Sequence, residues 1–323
     1  MIHDTDNLNT LSRAQGCLLG QLAGDSLGSL VEFQSPSRIL AQFPRGLRDL
    51  ADGGVWNTLA GQPTDDSEMA LSLARMLVRY REYAPARARV KYLEWMHSRP
   101  FDIGNTTASG LSGHPMIASQ ANGALMRISP LGIFGARHEL TLVADWARQD
   151  AAITHPHPIC GEINALYAMA IAEVIRSGCT PAELYRKISD WASSPLLYSE
   201  EVRADVLSAA SQEHPDGDLS GSKQGWVRIA FRNALWQLLH APDLESGIIN
   251  TVMRGGDTDT TAAICGALLG AVYGRDAVPL RWCEAILSCR PEAGRPGVCQ
   301  PRPECYWPMD CLELAAQLLR QGA

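Results

Sequence analysis

The spacing of apolar residues predicts a chain built almost entirely of α-helices. Met69, Leu73, Met76, Leu77 and Tyr80 fall at i, i+4, i+7, i+8 and i+11, which places them on one face of a helix. Similar patterns recur at 137–149, 158–177, 181–192, 199–212, 226–240, 244–253, 259–273 and 309–320. Alternating runs rich in β-branched residues are nearly absent, and Pro and Gly cluster in short connections. We therefore predict an all-α fold in a single compact domain.

Two rows of glycine interrupt this pattern. Glycine recurs at every fourth position, at residues 16, 20, 24 and 28 and again at 266, 270 and 274. Because a glycine inside a helix costs about 1 kcal/mol relative to alanine, such a row is tolerable where it lets another backbone come close. We therefore predict a helix–helix contact at these rows, and a contact between the two rows would explain both.

Composition and charge narrow the classes of partner. The 323 residues carry a formal net charge of -7 without a run of Lys or Arg, so we expect neither nucleic acid nor an anionic membrane as a partner. The longest apolar stretch, Thr261–Tyr273, is shorter than the roughly 20 residues that cross a bilayer, and the N-terminus lacks a signal-peptide pattern. The nine Cys show no zinc-ligand spacing and are interpreted as reduced thiols. These features predict a cytoplasmic protein, for which we favour a monomer.

Two acidic clusters each stand at the start of a predicted helix. The first is Thr64–Glu68 and the second is Gly255–Thr260, in which a glycine pair permits positive φ. Helix capping is the simplest interpretation of the first, since Asp65 with Glu68 makes a capping box. Capping explains only one of the several Asp and Thr side chains in the second.

Taken together, the clusters predict a site for hard divalent cations. They supply four carboxylates and two flanking hydroxyls, with no Cys or His among them. All-oxygen ligation selects Mg²⁺, Mn²⁺ or Ca²⁺ over zinc. Carboxylates gathered in one buried place repel one another strongly unless counterions balance them. Two divalent cations between the clusters would do so.

Six motifs, in order, resemble those of the ADP-ribosylglycohydrolase family, of the dinitrogenase reductase-activating type. They lie at 16–28 followed by Glu32, and at 61–69, 100–107, 122–127, 154–158 and 255–260. The resemblance spans about residues 12–320, so we predict a family domain over 12–323 after a short extension, 1–11. It implies an all-α hydrolase with a binuclear Mg²⁺ or Mn²⁺ centre that removes ADP-ribose from a modified target.

The resemblance also implies roles for individual residues. It implies metal ligation by Thr64, Asp65, Asp66, Asp257, Asp259 and Thr260. The candidate catalytic acids are Asp102, Glu32 and Asp65. The residues implied to contact ADP-ribose are Asn122, Gly123, Met126, Arg127 and His155. Structural alternatives remain for the residues outside the clusters: Asp102 as a turn cap, Glu32 as a solvated acid, Arg127 in an ion pair and His155 bonded to a loop.

The linkage to be cut and the mode of action are less constrained. Overall similarity favours ADP-ribosyl-arginine on a protein over a serine linkage or another ADP-ribosyl linkage. A second class of function is an inhibitor or immunity protein that binds an ADP-ribosyltransferase and blocks it, with residues 1–11 as a contact segment. The intact set of metal ligands favours the hydrolase. No role is predicted for Pro301–Pro308.

Overall fold

The structure of the protein is a computed structural model that describes residues 2–322, with side chains from residue 9 onward. Its α-helices are α1 (Ile2–Gly28), α2 (Pro36–Gln42), α3 (Asp65–Tyr80), α4 (Pro85–His97), α5 (Asn105–Leu111), α6 (Ser129–Gly135), α7 (Leu140–Ala152), α8 (Pro158–Ser177), α9 (Pro181–Ala192), α10 (Glu200–Ser208), α11 (Val227–His240), α12 (Leu244–Met253), α13 (Thr258–Tyr273), α14 (Leu280–Ser288) and α15 (Cys311–Gln321). Within residues 2–322 the extended pairing is limited to two isolated bridges, Gly53–Thr58 and Ala121–Trp226. The predicted all-α fold is confirmed.

Sequence periodicity located the long helices better than the short ones. Helices α8, α9 and α12 begin and end at the predicted residues, and α13 begins one residue earlier than predicted. Helix α10 ends at Ser208, four residues before its predicted end. The apolar pattern did not indicate α2, α4, α5, α6 or α14, and only the glycine row indicated α1. Helices α2, α5, α6 and α14 have only seven or nine residues, which is too short for a periodic signal to stand out.

The two glycine rows form the central helix contact, as predicted. Helices α1 and α13 pack antiparallel, with Gly16 opposite Gly270 and Gly20 opposite Gly266. A Cβ atom on any of these four glycines would lie closer than 3.0 Å to a backbone atom of the other helix. Gly274 ends α13 with a φ of +81°, and its backbone still belongs to the contact, because a Cβ atom at Gly16 would lie 2.4 Å from the Gly274 carbonyl carbon. The antiparallel contact brings the last turn of α1 beside the first turn of α13.

Helix α8 forms another buried layer of the core. By length and composition alone, this helix could cross a membrane. The apolar pattern of the sequence did not indicate this. However, 83% of its apolar window is buried inside the protein. It packs against α6 and α7 on one side and contacts α1 and α13 on the other. We therefore interpret α8 as a core helix.

Candidate active site

The two acidic clusters meet at one cleft. Asp65 opens α3, while Asp257, Asp259 and Thr260 stand at the start of α13, and all four line a cleft of about 270 Å³. Glu32, from the turn after α1, and Asp102, from the loop before α5, line the same cleft. Five carboxylates from four separate segments therefore face one small volume.

Thr64 and Asp66 lie behind the cleft wall and are fully buried. The Thr64 hydroxyl lies 2.9 Å from Asp66 Oδ2, and Asp66 also interacts with the Thr260 side chain. The other Asp66 oxygen, Oδ1, is buried and has no hydrogen-bond partner within the described residues. A buried carboxylate oxygen without a donor is costly, so its placement fits a position that a cation would satisfy.

Asp25, which the sequence analysis did not single out, organises the first cluster. Its carboxylate accepts hydrogen bonds from the Thr64 amide at 3.1 Å, the Thr64 hydroxyl at 2.9 Å and the Ser67 amide at 3.1 Å. Asp25 thus caps the start of α3 from a neighbouring helix. An acid in the last turn of α1 opposes that helix's own dipole, and this was the signal in the sequence that it serves another element.

The alternative interpretation of Asp65 and Glu68 as a capping box is wrong. Thr64 holds the N-cap position without a side-chain cap bond, and the Asp65 side chain faces the cleft. Glu68 instead accepts two hydrogen bonds from Arg302, at 2.7 and 2.8 Å, and one from Trp95 at 2.8 Å. Because Asp25 caps α3, Asp65 and Glu68 are not needed as caps and make other contacts.

This ion pair gives the C-terminal stretch a role. Arg302 is buried and also donates to the carbonyl oxygen of Ser98 at 3.0 Å. Two residues earlier in the chain, the backbone carbonyl of Gln300 accepts a hydrogen bond from the Gln62 side chain at 2.7 Å. The side-chain amide of Gln300 donates to the Trp56 carbonyl at 3.0 Å. The segment from Gln300 to Arg302 therefore holds the first turn of α3 and the preceding loop in position by these hydrogen bonds.

The second cluster is held in place by backbone geometry and one amide. Gly255 and Gly256 adopt positive φ, +73° and +82°, as their sequence allowed. The Gly256 carbonyl accepts from the Phe33 amide at 2.7 Å, and Thr258 Oγ1 donates to the Gly28 carbonyl at 2.7 Å. These bonds tie the loop to the end of α1. Asn122 Nδ2 donates to Asp257 Oδ2 at 2.6 Å, which orients that carboxylate.

Glu32, Asp102 and Asp259 form the tightest group of acids. One carboxylate oxygen from each lies within 4.8 Å of the others. Trp56 Nε1 donates to Glu32 Oε2 at 2.8 Å and fixes the position of that side chain. Oxygen atoms at this spacing are suited to share a hard cation or a proton.

Burial dominates the electrostatics of these groups. It is the largest cause that raises the pKa of Asp102 to about 6, and together with the negative charges of Asp102 and Asp257 it raises the pKa of Glu32 to about 8. Desolvation and neighbouring carboxylates also hold the pKa values of Asp65 and Asp259 well above their ordinary range. Without cations the cleft therefore retains protons at neutral pH. Divalent cations would replace those protons, and the donor set fits them.

The structure places four of the five expected ADP-ribose contacts in the cleft. Asn122, Gly123, Met126 and His155 line it, together with residues that sequence reasoning did not identify, which are Phe33, Gly104, Asn105, Thr106, Thr107, Ala121, Gln224 and Gly225. Arg127 is not among the lining residues. It is fully buried and donates to Asp150 Oδ1 at 3.0 Å, which is the ion-pair alternative.

Comparison with known proteins finds one family along most of the chain. The sequence model of the ADP-ribosylglycohydrolase family matches residues 6–303. The ADP-ribosyl-[dinitrogen reductase] glycohydrolase of Rhodospirillum rubrum is 30% identical over 280 residues, covering 84% of this chain and 88% of that protein. The ADP-ribosylarginine hydrolase Tri1 of Pseudomonas putida (strain GB-1) is 27% identical over 296 residues, covering 85% and 74%.

A solved structure described as an ADP-ribosylglycohydrolase-related protein complex has the same fold. It superposes with a TM-score of 0.78 at 26% sequence identity, and the match covers 98% of this chain and 99% of that one. The chain belongs to the ADP-ribosylglycohydrolase family.

Proposed function

We propose that the protein is a metal-dependent hydrolase that removes ADP-ribose from arginine side chains of modified proteins. The observation that carries the proposal is the meeting of Asp65, Asp257, Asp259, Glu32 and Asp102 at one cleft. An inhibitor of a transferase has no need for such a concentration of buried carboxylates, each of which costs solvation free energy. The arginine linkage is supported by similarity to the arginine hydrolase of Pseudomonas putida.

Two Mg²⁺ or Mn²⁺ ions fit the chemistry of the donor set. Thr64, Asp65, Asp66, Asp257, Asp259 and Thr260 would hold them. Asp66 Oδ1, which has no hydrogen-bond partner among the described residues, and the protons retained by the neighbouring acids favour cations at this position. When bound, such ions supply Lewis acidity toward ribose oxygens and water.

The proton carriers proposed are Glu32 and Asp102. Glu32 is the stronger candidate for carrying the proton, because it lines the cleft outside the proposed set of metal ligands and Trp56 Nε1 holds its carboxylate in position. That proton would go to the departing guanidine nitrogen as the bond from C1″ of the ribose breaks. Asp102, with a pKa of about 6, would then accept the proton of the attacking water. Asp65 interacts with Asp102 and would hold it in place.

The remaining lining residues would bind the nucleotide part of the substrate. Asn122, Gly123, Met126 and His155 lie along one wall of the cleft. Arg127 supports this wall from behind rather than contacting the pyrophosphate, because its guanidinium is occupied by protein groups. We place the enzyme in the cytoplasm, as a monomer with a domain over residues 12–323.

The experiment uses targets that were modified beforehand and then freed of transferase. An arginine-ADP-ribosylated peptide and a serine-ADP-ribosylated peptide are each incubated with the protein and Mn²⁺ or Mg²⁺, followed by EDTA. We expect free ADP-ribose from the arginine peptide, loss of release with EDTA, and loss in Asp257→Asn. The matched control Glu313→Gln removes a surface carboxylate, which is bonded to Arg320 far along α15, and should keep full activity.

If ADP-ribose is released from the serine peptide alone, the proposed arginine linkage is contradicted, whereas the proposed hydrolase activity is supported. If neither peptide nor any nucleotide-linked substrate releases ADP-ribose, yet the protein protects targets from a live transferase, the hydrolase proposal fails and the inhibitor takes its place.

A further inference from the structure

Arg127 is the centre of a buried hydrogen-bond network beneath the cleft wall. Its Nε donates to Asp150 Oδ1 at 3.0 Å and its Nη2 to the Asp150 carbonyl at 2.9 Å. The hydroxyls of Tyr92 and Tyr83 donate to the same carboxylate, at 3.0 and 3.3 Å. The network also includes Thr154, whose Oγ1 accepts a hydrogen bond from Arg127 Nη1 at 2.9 Å. The guanidinium is thereby fixed in position and has no part in the cleft itself.

The Thr154 hydroxyl connects Arg127 to His155. Its Oγ1 lies 2.7 Å from His155 Nδ1. A threonine hydroxyl carries one proton, and Oγ1 already accepts a hydrogen bond from Arg127. If Nδ1 carried a proton and donated it to Oγ1, the hydroxyl proton would need another acceptor, and within the described residues Thr154 Oγ1 contacts none. When Oγ1–H instead donates to Nδ1, the buried hydroxyl proton has an acceptor and the ring proton stands on Nε2, at the cleft, where water or a ligand oxygen can accept it.

The other ring nitrogen of His155 is directed to the cleft. His155 is 1% exposed and lines the cleft, and its Nε2 has no hydrogen-bond partner in the part of the chain that the structure describes. A Cβ atom at Gly123 would lie 3.2 Å from this Nε2 and 2.8 Å from Thr107 Oγ1. Glycine at position 123 therefore leaves the approach to Nε2 open. A buried N–H without an acceptor is costly unless a ligand supplies one.

We propose that Arg127 and Thr154 act as positioning residues that hold His155 as the neutral Nε2–H tautomer, so that it donates a hydrogen bond to an oxygen of the bound ADP-ribose. The ligand contact rests on the proposed function, whereas the tautomer does not. Burial, together with the charge of Arg127, lowers the pKa of His155 to about 3, which keeps the ring neutral at the pH of the reaction.

The first experiment is nitrogen NMR of the histidine rings in the full chain labelled with ¹⁵N, at neutral pH. The His155 signals are assigned by their loss in His155→Gln, and the protein is studied with and without ADP-ribose. We expect an unprotonated Nδ1 and a protonated Nε2 already in the free protein. A protonated Nδ1, or a doubly protonated ring, would overturn the proposal even if the enzyme is active.

The second experiment compares Thr154→Ser with Thr154→Val, by NMR and by calorimetric titration with ADP-ribose. Serine keeps the hydroxyl and should preserve both the tautomer and the affinity. Valine has nearly the same shape but no hydroxyl, so the Nε2–H signal should weaken and the affinity for ADP-ribose should fall about fivefold to tenfold. Melting temperatures identify any variant that fails to fold, in which case the NMR result on the native chain decides.

If the valine variant keeps both the tautomer and the affinity, Thr154 has no positioning role and the proposal is contradicted. If the tautomer is as expected but ADP-ribose does not bind the native chain, the ligand assignment and the proposed function fail together, while the tautomer stands.

Discussion

At the scale of single residues, the site is defined by acids that are too close and too buried to be ionised together. Asp25 is satisfied by three donors from the protein, whereas Asp66 Oδ1 has no donor within the described residues. The contrast separates a carboxylate that serves structure from one that is suited to a cation. Spacing in the sequence indicated the acidic clusters, but it could not distinguish these two roles, because the difference lies in the partners.

The raised pKa values predict how the stability of the metal-free protein changes with pH. Burial raises the folded-state pKa of Glu32 to about 8 and that of Glu68 to about 7, both from an ordinary value of 4.5. At neutral pH the folded chain therefore binds more protons than the unfolded chain, so its free energy of unfolding falls as the pH rises. Below pH 6.5 the trend is opposed by His155 and His214, whose pKa values burial lowers to about 3 and about 4.

The clear window is therefore between pH 6.5 and about 8. Urea unfolding of EDTA-treated protein should show stability decreasing across it, by a few kcal/mol at most, since one pKa unit corresponds to about 1.4 kcal/mol. With saturating Mn²⁺ the decrease should become smaller, because cations favour the ionised form of the carboxylates that hold them, whereas Glu68, which is bonded to Arg302 outside the cleft, keeps its contribution. Metal-free stability that stays constant or increases over this window would contradict the assigned protonation.

At the scale of elements, the contact between α1 and α13 decides where the site forms. The glycine spacing predicted this contact, since a row of glycines is expensive unless a backbone approaches it. The sequence did not show that the pairing is antiparallel, and this is what places Glu32 beside Asp259. Similarly, the link from Arg302 to Glu68 spans more than two hundred residues, so no local pattern could reveal it.

Gly20→Ala tests the close contact. A Cβ there would overlap the Gly266 carbonyl, so we expect a loss of about 1–3 kcal/mol in the free energy of unfolding from overpacking. Gly161→Ala in α8 is the matched control, because its new Cβ would meet only the Arg148 side chain and backbone at 3.7 Å or more. That variant should gain up to about 1 kcal/mol from helix propensity. Equal effects of both substitutions would show that α1 and α13 do not pack at the glycine row.

Arg302→Met tests the role of the C-terminal stretch. It leaves the buried Glu68 carboxylate without its ion pair, at an expected cost of about 3–5 kcal/mol measured by urea unfolding at pH 8, above the Glu68 pKa of about 7. Arg320→Met is the control, because its ion pair with Glu313 is exposed and should change stability by less than about 1 kcal/mol. A small effect of Arg302→Met would mean that Glu68 is protonated in the native protein and does not depend on the tail.

At the scale of the whole molecule, the fold class and the ordered motifs could be predicted from sequence, and the three-dimensional support of the site could not. The all-α class followed from periodicity, and the family from motifs that the matched residues 6–303 contain. Arg127 illustrates the limit: it lies four residues after Gly123 in a motif that lines the cleft, yet its side chain turns into the core toward Asp150. Which way a side chain turns depends on partners from distant segments, which a single sequence does not reveal.

We expect the two acidic clusters to hold divalent cations jointly, and one measurement tests this directly. The measurement is a calorimetric titration of Mn²⁺ into EDTA-treated protein at neutral pH, for the native chain and for Asp66→Asn. Asparagine keeps the shape but removes the charge of the carboxylate whose Oδ1 has no partner within the described residues, so the folded variant should bind Mn²⁺ at least about tenfold more weakly. We expect two ions per native chain, with protons released as they bind. Absence of Mn²⁺ binding to the native chain, or unchanged binding in Asp66→Asn, would contradict the central claim.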